Sequence, residues 1–236
     1  VGLSLDKLET EAPALVPLAK KASFSLNKFG LEDQTAEVEL ALDYSASMSR
    51  LYESGQIQQL GESVLALATQ LDDDGQVPTW FFDNGCQLMG DIDLGSYTGA
   101  IDRFRQRRGM GGTEYAPVIR EIVKKHKKGS GLFRKKTGLP KYVLFLTDGF
   151  PNDPAETEKA LVDASEYPIF WKFISLGMEI DFLRGLDNLE GRKTDNAHYV
   201  AINGLSELTS SQLYDLLLME WPSYLTSARQ AGILGS

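Results

Sequence analysis

Residues 142–147 (YVLFLT) run apolar without a break. A strand with one wet face alternates apolar and polar side chains. This run therefore marks a strand buried on both faces, as in the middle of a parallel sheet covered by helices. The rest of the chain fits around such a strand. Segments 36–42 (AEVELAL), 77–82, 86–89, 169–175 and 199–202 read as further strands. Asn84-Gly85 is a tight hairpin signal, which makes 86–89 an antiparallel edge. Helical spacing covers 50–71, 96–107, 114–128, 155–167, 180–186, 208–220 and 223–230. Strands that alternate with helices predict an α/β, Rossmann-like, doubly wound fold. Its sheet is mostly parallel with one antiparallel edge strand, and helices cover both faces. Residues 5–28 keep helical spacing around Pro13 and Pro17. Residues 1–35 are expected to form a helical arm packed on a single domain spanning 36–236.

Composition narrows the function classes. With 236 residues, 42% of them hydrophobic and 24% charged, the chain can bury a large core and is not a disordered polymer. No run of 18 apolar residues exists, so no membrane span is expected. The opening VGLSLDKLETEAP lacks a basic segment followed by an apolar run and does not read as a secretory signal. One cysteine, Cys86, excludes an internal disulfide and a cysteine zinc site, and fits a reducing cytoplasm. His126 and His198 stand apart, His126 in a Lys-rich run expected to be solvated, so a histidine zinc site is not expected either. The net charge of −9 argues against bulk nucleic-acid binding. Between Arg103 and Lys141, however, 13 Lys or Arg face only Glu114 and Glu121. Such an island is either solvated surface or a device that orients an acidic partner or contacts phosphate.

Ligands of open α/β sheets bind beyond the carboxyl ends of the strands. Three polar loops are predicted there: Asp43-Tyr44-Ser45-Ala46-Ser47, Gly111-Gly112-Thr113 and Thr147-Asp148-Gly149. They supply Asp43, Ser45, Ser47, Thr113 and Asp148, all oxygen donors. Oxygen-only sets suit a hard divalent cation, Mg²⁺ first, with Mn²⁺ or Ca²⁺ as alternatives. Two carboxylates and three hydroxyls leave room for an acidic group from outside. The same residue types also cap helices and build turns, and Asp153 and Glu156 suit the dipole of the helix they begin.

Asp-x-Ser-x-Ser after an apolar strand, then Gly-Gly-Thr before a helix, then strand–Thr-Asp-Gly, resembles the metal-ion-dependent adhesion site of von Willebrand factor A (vWA) domains over residues 36–220. LETEAPALVPLAKKA, WFFDNG, GGTEYAPVI, TDGFPND and DNAHYVAI resemble the tellurite-resistance (Ter-type) branch, with copine domains as cousins. The resemblance implies that Ser45 and Ser47 coordinate a cation directly, that Thr113 joins them in the tightly binding conformation, and that Asp43 and Asp148 act mainly through waters. It implies that an Asp or Glu of a protein partner takes the open position. It also implies that Gly111-Gly112 lets the Thr113 loop shift through backbone angles open to glycine. Tyr44, Met48, Gly112, Arg107 and Arg108 are expected to line the partner face.

The leading expectation is a non-enzymatic, metal-dependent protein-binding module in a bacterial cytoplasmic stress or tellurite-resistance system. Direct tellurium chemistry is not expected, because oxygen donors serve a soft element poorly. The enzymatic alternative is a Mg²⁺-dependent phosphohydrolase of haloacid-dehalogenase type, with Asp43, Thr113, Lys141 and Asp148 in its roles. Against it, Ser45 stands where a general-acid Asp is needed, and Gly149 follows Asp148 where a second acid is needed. A third possibility is an interaction domain that works without metal.

Overall fold

In the computed structural model, which describes residues 2–107, 109–129 and 138–235, the apolar run is strand β4 (Lys141–Thr147), buried at every position. It lies beside β1 (Glu37–Asp43) in one sheet whose order is β3-β2-β1-β4-β5-β6, with β2 Gln76–Phe82, β3 Cys86–Asp93, β5 Ile169–Leu176 and β6 Ala197–Ile202. All pairings are parallel except β2 with β3. The fold is the expected α/β, Rossmann-like one. From β1 the chain winds outward to β2 and then crosses back to β4 on the other side of β1. The crevice above the ends of β1 and β4 is therefore the topological switch point, where ligands of such sheets bind.

Helices cover both faces. They are α1 (Leu5–Glu11), α2 (Val16–Lys28), α3 (Ser49–Glu53), α4 (Gln56–Leu71), α5 (Ala100–Arg105), α6 (Ala116–Gly129), α7 (Pro154–Ala164), α8 (Asp181–Asp187), α9 (Ser210–Leu218) and α10 (Trp221–Gln230). On one face Leu40, Leu42, Leu144 and Leu146 pack with residues of α2, α4, α9 and α10. On the other, Ala41, Val143, Phe145 and Trp171 pack with α6, α7 and α8. Alternate residues of β4 thus enter opposite cores, which is why the run shows no polar gap. Helix α2 is held to α9 by Ser25 and Lys28, which both bond the Asp215 carboxylate at 2.9 and 2.6 Å.

Several element boundaries differ from the sequence expectation. The single helix over 50–71 is two helices, because Gly55 takes a left-handed φ of 78° and interrupts the ladder between α3 and α4. Helix α5 is only the middle of the expected 96–107 segment and starts after Gly99, also left-handed. The 208–220 helix starts at a Thr209 capping box and ends at Leu218, and α10 begins at Trp221 with Pro222 in its first turn. Strand β3 runs four residues beyond the expected end at Met89.

Candidate metal centre

Asp43 ends β1 with its side chain fully buried. Its Oδ1 accepts the Ser45 N–H at 2.8 Å, and its Oδ2 accepts the Thr147 hydroxyl at 2.6 Å from the end of β4. The Ser45 and Ser47 hydroxyls are 3.1 Å apart, and Ser47 Oγ donates to Asp148 Oδ1 at 2.8 Å. Four of the five sequence-derived oxygen residues are therefore joined through side-chain contacts above the switch point. Two phenols brace the group. Tyr52 donates to the Asp43 carbonyl at 2.8 Å, and the Tyr115 hydroxyl lies 3.1 Å from Thr147 Oγ1 and against the Gly149 carbonyl.

Thr113 is placed beside this group by backbone bonds. Gly111 forms a parallel bridge with Ser45, and its N–H donates to the Tyr44 carbonyl at 3.2 Å. The Thr113 carbonyl accepts the Asn152 N–H at 2.7 Å. Unlike the other four, Thr113 has no side-chain hydrogen bond to the cluster among the described residues.

The electrostatics fit a cation. Burial pushes the Asp43 carboxyl up from 3.8 to about 6, against the hydrogen bonds from Thr147 and Ser45, and the nearby Asp148 adds to the rise. Among the described residues no Lys or Arg forms an ion pair with either carboxylate. Two neighbouring carboxylates with no cation paired to them among the described residues, beside serine and threonine hydroxyls, match the donor chemistry of a hard divalent ion. No three His, Cys, Asp or Glu side chains converge on a metal position among the described residues, so any ion here would depend on the serine and threonine oxygens.

Several expected partner-face residues lie elsewhere. Tyr44 and Met48 are core residues. Tyr44 stacks on Phe81 with ring centroids 4.5 Å apart, and Met48 is fully buried, so both side chains belong to the core, whereas Ser47 is exposed. Arg107 is exposed, but its guanidinium bonds the Met89 carbonyl at 3.1 Å and lies over Phe104. Arg108 lies outside the described residues. Gly112 is at the rim, with its N–H bonded to Asn84 Oδ1 at 2.6 Å. Gly111 and Gly112 are not among the residues with positive φ. Their small size matters instead, because a Cβ on Gly111 would meet Asn84 and Asp83 at 2.9–3.0 Å and one on Gly112 would meet Asn84 and Asn152 at 3.0–3.3 Å.

Lys141 is at the opposite end of the sheet. It starts β4, is buried, and pairs with Glu39 and with Glu37 at 2.9 Å. Seven strand residues place it roughly 20 Å from Asp148. The constellation the phosphohydrolase alternative requires does not form. His126, expected to be solvated, is half-buried against Tyr167, and burial together with Lys141 lowers its pKa. Asp153 begins α7 without capping it through its side chain. Its carboxylate instead accepts the N–H groups of Tyr115 and Ala116, both at 2.9 Å, and so caps the start of α6. Thr147, Tyr52, Tyr115 and Asn84 are the supporting residues to which sequence reasoning gave no role at the site, and Asp153 was placed only at the start of its own helix. Thr147 carried a signal as the first residue of the Thr-Asp-Gly loop and Asn84 as part of the hairpin turn, whereas Tyr52 and Tyr115 carried none.

The comparisons with known proteins bear on the fold and the family. The family model described as "vWA found in TerF C terminus", vWA-TerF-like, matches residues 35–234. The chain belongs to the vWA-TerF-like family. The uncharacterized protein YcbR of Bacillus subtilis (strain 168) is 32% identical over 228 residues, covering 94% of this chain and 90% of that protein. Among solved structures, proximal thread matrix protein 1 from the mussel byssus superposes with a TM-score of 0.56 at 18% identity, covering 78% of this chain and 47% of that one. The chain thus spans about half the length of the mussel protein. The SpRpn10 VWA domain superposes with a TM-score of 0.53 at 14% identity, covering 78% of this chain and 94% of that one. At these identities the structural likeness establishes the vWA fold alone. Among the described residues of this vWA domain, no helix is long and apolar enough to cross a membrane.

Proposed function

We propose that this vWA domain is a non-enzymatic binding module that holds a divalent cation, Mg²⁺ first and Mn²⁺ or Ca²⁺ as alternatives, at Asp43, Ser45, Ser47, Thr113 and Asp148. The bound ion supplies an electrophilic position for a carboxylate of a protein partner, an exposed Asp or Glu. The observation that carries the reading is the link from Ser47 Oγ to Asp148 Oδ1 at 2.8 Å, which joins the β1 and β4 loops at the switch point. Around it, Ser47 is exposed, the buried Ser45 hydroxyl lies 3.1 Å from the Ser47 hydroxyl, and Asp43 orients Ser45 through the Ser45 N–H. The family match supports a protein-interaction role, the usual one for vWA domains, and extends by analogy to a bacterial cytoplasmic stress or tellurite-resistance setting.

Calorimetric titration of Mg²⁺, Mn²⁺ and Ca²⁺ into metal-free protein tests the reading. Ser47→Ala/Asp148→Ala is the control, since it removes the outward donors and spares the buried carboxylate. The expected result is one saturable site in the wild type, weakened at least about tenfold in the control. Absence of binding by the wild type, or equal binding by both, rejects the metal site.

A further inference from the structure

The loop from Gly111 to Ala116 is held at every residue. Gly111 bonds Tyr44, Thr113 accepts from Asn152, and the Glu114 N–H donates to the Asp83 carbonyl at 2.7 Å. Tyr115 and Ala116 are capped by Asp153. Gly112 alone is held by a side chain from the β2–β3 hairpin tip, through its N–H to Asn84 Oδ1 at 2.6 Å. That side chain also fills the space beside both glycines. A Cβ on Gly111 would meet Asn84 Oδ1 at 2.9 Å, and one on Gly112 would meet Asn84 Nδ2 and Oδ1 at 3.0 Å and Asn152 Nδ2 at 3.3 Å.

We propose that Asn84 is a positioning residue for the oxygen site. It clamps Gly112 and thereby sets where the next residue, Thr113, stands relative to Ser45, Ser47 and Asp148. The inference rests on the metal reading above. Among the described residues the Thr113 hydroxyl has no hydrogen bond to the cluster, so its place follows from its backbone, which is held through Gly112 by Asn84 on one side and at its own carbonyl by Asn152 on the other. Fixing a ligand within a fraction of an ångström depends on such supporting contacts. The clamp also makes the hairpin tip a lever. By linkage, whatever shifts residues 83–85 shifts cation affinity, and cation binding in turn stiffens the tip.

Two readouts on the intact chain test this. One is the Mn²⁺ dissociation constant by calorimetry, and the other is hydrogen exchange of the Gly112 amide by NMR without metal. Asn84 is exposed, so Asn84→Ala is expected to fold normally. It should speed Gly112 exchange about tenfold and weaken Mn²⁺ binding about tenfold. Gly112→Ala in the wild-type background should weaken binding to a similar degree. In the Asn84→Ala background it should add much less, because part of the obstruction is gone, and that non-additivity is the signature of the clamp. Unchanged exchange and affinity in Asn84→Ala, beside a wild type that binds Mn²⁺, would overturn the proposal and leave the metal site standing. A wild type that binds no Mn²⁺ would overturn the metal reading, and with it any role of Asn84 in affinity. Gly112 exchange would then still decide whether Asn84 holds the loop.

Discussion

Thr147 donates its hydroxyl to Oδ2 of Asp43 at 2.6 Å, across the boundary between β4 and β1 and wholly inside the protein. The bond partly offsets the burial of the carboxylate, and the same hydroxyl contacts the Tyr115 phenol. Thr147→Val keeps the shape and removes the donor, leaving a buried carboxylate oxygen without that bond, while the Tyr115 phenol keeps the Gly149 carbonyl as its acceptor. The expected loss is about 2 kcal/mol of stability. Urea unfolding should show a lower midpoint with an unchanged slope. A midpoint equal to the wild type would mean that Asp43 is held by other means.

Asp153 caps a helix other than its own. Asp153→Ala frees two backbone N–H groups at the start of α6, the helix that follows the Thr113 loop. The expected cost is about 1–2 kcal/mol, with faster amide exchange at Tyr115 and Ala116. Exchange that rises only within α7 would show that the cap acts where the sequence places it.

Lys172 is a cation in the wrong solvent. It is fully buried in β5, with Nζ 2.6 Å from His198 Nδ1 and 3.3 Å from the Met219 carbonyl. Burial lowers its pKa from 10.5 to about 7, against weak support from Asp187 and Glu220. A base with a depressed folded pKa costs stability wherever the unfolded chain would hold the proton. The cost is full below pH 7 and fades as pH rises toward 10.5. Lys172→Met should therefore stabilise the protein near neutral pH by about 1–3 kcal/mol. The gain should shrink at pH 10. Unfolding midpoints of both chains at the two pH values decide this, and a gain that grows with pH would refute it.

Glu39 and Lys141 form a buried pair at the far end of the sheet, joined by Trp80 Nε1 at 2.8 Å and Lys125 Nζ at 3.3 Å on Glu39. Burial acts to raise Glu39, but Lys141 and Lys125 outweigh it and hold its carboxyl below the usual range. Lys141→Met alone leaves the buried carboxylate with Trp80 Nε1 and the half-exposed Lys125 as its partners among the described residues and should cost about 3–5 kcal/mol. Adding Glu39→Gln removes the charge, keeps an acceptor for Trp80, and should recover most of that loss. Additive losses in the double variant would show that the two residues are not coupled.

The layers, the strand-helix order and the oxygen-rich loops at the strand ends are all legible in the amino-acid order alone. These are local properties. Whether residues 142–147 alternate reports burial on one face or two, and an Asp or Ser directly after an apolar run reports a strand's end. The family resemblance was legible for the same reason, since its motif is three short segments in order. What touches what was not local. Ser47 and Asp148 meet only because β4 crosses to the side of β1 opposite β2. The inward turn of Tyr44 and Met48, the break at Gly55, the remote cap from Asp153 and the approach of Asn84 to Gly112 likewise depend on register and packing between distant segments. Side-chain type records what a residue can bond, whereas strand order and close packing decide which partner stands within 3 Å.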